Sequence, residues 1–141
     1  MITGKLVSSV LVLSAAPVLG AASKKPILLQ TVEIEGMSTD GGDGKLYLAT
    51  KAATAPCRMD VMLWGERGRA GWTFLLGSHL ISATRTDYDY NLPYYTKGGG
   101  QVVSTHSFTL KNVEERKKLI GAFADFKALF DPTKLAQCNK P

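Results

Sequence analysis

Residues 102–130 read VVSTHSFTLKNVEERKKLIGAFADFKALF, and the hydrophobic period changes inside that stretch. From Val102 to Leu110 the repeat is two, with Val102, Ser104, His106, Phe108 and Leu110 on one side, which predicts a strand. From Leu119 the repeat becomes three and four. Leu119, Ile120, Phe123, Phe126 and Phe130 form one apolar helical stripe. Asn112 followed three residues later by Glu115 matches a capping box, and Glu114 and Glu115 suit the positive end of a helix dipole. Pro132 stops the helix, because the residue before a proline avoids helical backbone angles.

Upstream of that switch the period stays at two. Val32 and Ile34 alternate with Glu33 and Glu35, with Leu28 as an extension. Leu46 and Leu48 share a face of a second strand. Met59, Val61 and Leu63 share a face of a third, with Arg58 and Asp60 opposite, and Trp72, Phe74 and Leu76 begin a fourth. A fifth extended segment covers His79 to Tyr90. Ser38–Gly44, Ala52–Pro56, Gly65–Gly71 and the Gly98–Gly100 region read as turns or loops, and Gly77-Ser78 as a break or bulge. The predicted fold is therefore α+β: an antiparallel sheet of about six strands with one C-terminal amphipathic helix packed on it.

Residues 1–22 have the order of a secretory signal: Lys5, an apolar stretch from Leu6, then Gly20, Ala21 and Ala22. The stretch is too short to span a bilayer comfortably. Residues 23–141 then form a single domain, exported to a periplasm or to the medium, with no membrane anchor after cleavage. Without Lys5 the basic count falls from 17 to 16 against 12 acids, a net charge of +4. That charge is scattered, without the dense basic block that marks a nucleic-acid partner. Cys57 and Cys138 are the only cysteines, and in an exported chain the pair reads as one disulfide. Its loop of roughly 80 residues is worth on the order of 4 kcal/mol in the chain-entropy account.

Motifs for chemistry are sparse. Asp40 to Gly44 has the composition of a calcium loop without its terminal acid and reads as a hairpin turn. His79 and His106 are the only histidines, at no metal-binding spacing. The G-x-S-x-G of a serine hydrolase does not occur. Ser104 and His106 share a strand face with Phe108 and read as core or its edge. Glu33 with Glu35, and Asp87 with Asp89, are same-face carboxylate pairs at a spacing near that of glycosidases, yet pairs of this kind are ordinarily solvated. We expect no metal, no cofactor and no catalytic residue.

The least ordinary segment is Arg85-Thr86-Asp87-Tyr88-Asp89-Tyr90-Asn91-Leu92-Pro93-Tyr94-Tyr95. Tyrosine joins rigid contact area to a polar tip and is enriched at protein interfaces. Arg85, Asp87, Tyr88, Asp89, Tyr90, Tyr94 and Tyr95 are thus candidates for binding a partner, and Arg67, Arg69 and Trp72 are a second group. The expected function is a small exported non-enzymatic module that binds another protein, of the inhibitor or immunity type. An apolar-ligand carrier with its cavity between sheet and helix comes second. A small hydrolase using Glu35 or Asp87 comes third.

Overall fold

A computed structural model describes residues 25–35, 40–49 and 55–139. The signal-like segment, the Ala52–Thr54 part of the expected loop and residues 36–39 lie outside them. Among the described residues, six strands run in chain order across one antiparallel sheet: β1 (Ile27–Ile34), β2 (Gly42–Leu48), β3 (Cys57–Trp64), β4 (Gly68–Leu76), β5 (Leu80–Tyr90) and β6 (Val102–Thr109). Helix α1 (Val113–Lys127), a single turn α2 (Pro132–Leu135) and a 3-10 turn (Ala136–Asn139) follow. The α+β prediction describes this architecture.

Alternation decides which face each strand buries. Leu46 on β2, Met59 and Val61 on β3, and Trp72, Phe74 and Leu76 on β4 all turn to one side and are buried. Their intervening neighbours, such as Lys45, Arg58, Asp60 and Thr73, face the other way. On that open face the Arg58 guanidinium lies 4.6 Å from the Tyr47 ring centroid and 3.1 Å from a carboxylate oxygen of Asp60. Helix α1 covers the apolar side with Leu119, Phe123 and Phe126. The Phe126 ring meets Trp72 edge-on at 4.9 Å, and Phe123 sits 5.2 Å from Phe74. Aromatic pairs in this geometry add to what burial of their area contributes.

Behind the helix the chain folds back, and Phe130 enters the core above Gly44. A Cβ at Gly44 would come within 3.1 Å of the Phe130 ring, so the bare backbone of β2 makes room for it. The returning segment is tied to β1 by the Asp131 amide, which donates to the Gln30 side chain at 2.9 Å. It ends at the Cys57–Cys138 disulfide, with Cα atoms 5.4 Å apart and both residues buried.

Several expectations are corrected. Strand β2 begins at Gly42, inside the expected Ser38–Gly44 turn, and β4 begins at Gly68, inside the expected Gly65–Gly71 turn. Both glycines lie where a neighbouring strand approaches too closely for a side chain. An added Cβ at Gly42 would strike the Met62 carbonyl, and one at Gly68 the Tyr88 carbonyl. Ile120 is 50% exposed and does not belong to the buried stripe, because α1 touches the sheet along a narrower line than the spacing implies. Asn112 precedes the helix but makes no side-chain cap; its Oδ1 accepts from the Thr109 amide at 2.8 Å instead. Pro132 does not end α1, which stops at Lys127; it opens α2 with Asp131 as the cap. Ser104 and His106 are exposed rather than core. A bulge at Val103 also breaks the regular alternation with Val102, since Asp89 pairs with Ser104 and Tyr90 with Val102.

Candidate interaction site

Strand register places the site. On the helix side of the sheet, Trp72 pairs with Arg85 and Arg85 with Phe108. One row further lie Ala70, Asp87 and His106, and one row beyond that Gly68, Asp89 and Ser104. Phe126 reaches the Trp72 row. Past it, toward the β3–β4 turn, the sheet carries a hollow of about 450 Å³. Arg67, Trp72, Arg85, Asp87 and Asp89 line it, with Leu63 and Ala70 among the apolar lining; Arg69 and Tyr88 border it, while their side chains stack on each other on the opposite face. The two sequence segments singled out as candidates, around Arg67 and around Arg85, thus meet across the β4–β5 pairing.

The charges in this hollow are organised in pairs. Arg85 Nε donates to Asp87 Oδ1 at 2.7 Å, and the same guanidinium stands 5.1 Å over the Trp72 ring. Asp89 Oδ2 accepts from Ser104 Oγ at 2.9 Å and lies 3.5 Å from His106 Nε2. Each member of the expected carboxylate pair therefore has its own partner. Trp72 lines the hollow from below: it is 7% exposed, and its ring contacts Phe126 and Arg85. Arg67 is exposed at the turn.

The opposite face at the same end is aromatic. The Arg69 guanidinium lies 4.6 Å from the Tyr88 ring centroid and 6.0 Å from that of Tyr90. Stacking of this kind stabilises both partners and fixes the direction of the charge. Tyr90 and Tyr94 line a second hollow of about 340 Å³ with Asp40, Trp64 and Gly65. Tyr95 lines neither hollow. It is 64% exposed and packs edge-on against Tyr94 at 5.6 Å.

Backbone bonds hold the tyrosine loop on the β3–β4 turn. The Tyr90 and Tyr94 amides donate to the carbonyls of Arg67 and Glu66, each at 2.9 Å. Asn91 spans the loop: its Nδ2 donates to the Gly98 carbonyl and its Oδ1 accepts from the Gln101 amide. Gly98 and Gly100 have φ of 75° and 80°, a region that glycine enters without the cost other residues meet. The loop is thus held together by its own hydrogen bonds as well as by those to the β3–β4 turn.

Trp64 is absent from the residues singled out by sequence, although its signal is there. It continues β3 one step out of phase with Met59, Val61 and Leu63, so it must face outward. It is 41% exposed. His106 and Ser104 match the phase of Phe108 yet lie in a different environment, because phase says nothing about how far the helix extends. Among the described residues no group of three His, Cys, Asp or Glu is placed to hold a metal ion. The layer between sheet and helix, where an apolar ligand would lodge, is filled by Phe74, Phe123 and Phe126. No protein-family model matches the chain, and no curated protein or solved structure is significantly similar to it.

Proposed function

We propose that this chain is a small exported, non-enzymatic module that binds another protein through the end of the sheet around the β3–β4 turn. The observation that carries this reading is the cluster of solvent-facing aromatic rings there. Trp64 at the end of β3, the Arg69–Tyr88–Tyr90 stack on β4 and β5, and Tyr94 and Tyr95 on the loop after β5 stand outside the core, and backbone bonds fasten that loop to the β3–β4 turn. Aromatic and arginine side chains supply most binding hot spots, and holding them in place beforehand lowers the ordering cost of association. Export is supported by the disulfide and by the signal-like residues 1–22. Among the described residues, no helix is long and apolar enough to cross a membrane.

The test is comparative capture. Oxidised protein is immobilised and exposed to envelope and secreted fractions, beside a variant carrying Arg67→Ala, Tyr94→Ala and Tyr95→Ala. All three side chains are exposed, so the fold should survive their loss. A single stoichiometric protein retained by the native chain and lost, or weakened at least about a hundredfold, on the variant is expected for a site of this kind. Equal retention by both would remove the site. An extra bound small molecule in native mass spectrometry, with no protein retained, would favour the carrier reading instead.

A further inference from the structure

The two edges of the sheet, β1 and β6, are unlike. β1 bulges at Leu29, since Leu28 pairs with Tyr47 and Gln30 with Leu46; it also carries Glu33 and has its Gln30 side chain bound to the Asp131 amide. β6 bulges once, at Val103, and then runs regularly from Ser104 to Thr109. Among the described residues β6 pairs with β5 alone, and residues 102–107 are all exposed. Through Ser107 its outward backbone amides and carbonyls are thus open to another strand, whereas Asn112 occupies both the amide and the carbonyl of Thr109. Native edges are normally blunted by charge, proline or bulges. Between Gln101 and Leu110 this sequence has no Asp, Glu, Lys, Arg or Pro.

We propose that β6 is the interface of a homodimer, in which two copies pair β6 against β6 antiparallel about a two-fold axis. Two six-stranded sheets then become one continuous sheet. Charge supports a second copy as the occupant. In antiparallel self-pairing a strand faces its own reverse, so a charged residue near the centre meets its like, which is unfavourable. β6 is the strand on which that conflict is absent. Its cross-strand pairs come instead from Ser, Thr, His and Phe. The character of β1 supports closure at two copies: a bulged, acidic and partly engaged edge does not extend the sheet further. The proposal is independent of the binding site at the β3–β4 turn. It adds that each particle carries two such sites, one at either end of the joined sheet.

Sedimentation velocity of the full chain, expressed for export and purified oxidised, tests this over rising concentration. A single monomer-to-dimer step is expected. Hydrogen exchange in the outward-facing amides between Ser104 and Ser107 should slow as the dimer fills. The variant Thr105→Lys/His106→Lys brings two lysines from each copy across the axis. Both sites are exposed, and the cation introduced at position 106 would still face Asp89. Dimerisation should weaken by more than about tenfold, with monomer circular dichroism unchanged. The proposal is overturned by a native chain that stays monomeric, by a dimer that persists in the variant, or by mass that grows beyond two copies. It is equally overturned if the β6 amides become protected only when another protein's extended segment is added. Should the variant fail to fold, exchange in the native chain decides.

Discussion

Gly68 and Gly121 are the same residue in opposite situations. At Gly68 an added Cβ would strike the Tyr88 carbonyl, so β4 and β5 would have to part beside the candidate site. Gly68→Ala should cost about 1–3 kcal/mol, as overpacking usually does, and chemical denaturation measures it. At Gly121, inside α1 and exposed, an added Cβ meets nothing within 4 Å. Gly121→Ala should stabilise by about 0.5–1 kcal/mol in the same assay, since glycine is a poor helix residue. The sequence around Gly68 cannot reveal this difference. Gly, Glu and Arg in succession read as turn chemistry, and only the approach of β5 shows why a strand there needs a residue without a side chain.

Among the elements, α2 depends on one carboxylate. Asp131 accepts from the Thr133 amide at 2.8 Å, and this bond, with the positive charge of Lys134, holds its pKa below the ordinary carboxylate range. A group with a depressed folded pKa contributes stability above its unfolded pKa and loses it as pH falls through the folded value. The cap should therefore hold at neutral pH and release in acid. The Thr133 amide should then exchange faster below the carboxylate range, while Asp131→Asn should show no such acid step. The strands are legible from runs such as Met59-Val61-Leu63 and Trp72-Phe74-Leu76, because a half-buried sheet imposes strict alternation. Helix α1 is legible from Leu119, Phe123 and Phe126. Its angle across the sheet is not. That angle makes Ile120 an exposed residue and leaves Asp87, Asp89 and His106 beyond the helix's cover. Which end of the sheet carries the candidate site is thus a tertiary property. Composition alone points to the segments around Arg67 and Arg85, yet it cannot separate Trp72, a core ring, from the tyrosines that face solvent.

For the whole molecule, the disulfide joins residues 81 apart in sequence and links the third strand to the last turn. Reduction, or Cys138→Ser, should lower unfolding free energy by about 4 kcal/mol or less, mainly by releasing the unfolded chain. Denaturation curves with and without reductant should show this as a lower midpoint, and the loss is a large share of what a domain of this size has to spare. The sheet itself is a plain meander in which every strand pairs with its neighbours in sequence. Such a layout keeps strand pairing local in sequence, which favours fast folding.

Order of arrival gives the crosslink a further meaning. Made from the N-terminus, the chain presents Cys57 early and Cys138 only after all six strands and α1 have appeared. The bond therefore cannot form on a half-made molecule. An oxidant meeting the nascent chain would find one thiol without its mate, and that thiol would be open to mixed disulfides until the last turn emerged. Closure of the crosslink therefore records that synthesis has passed Cys138.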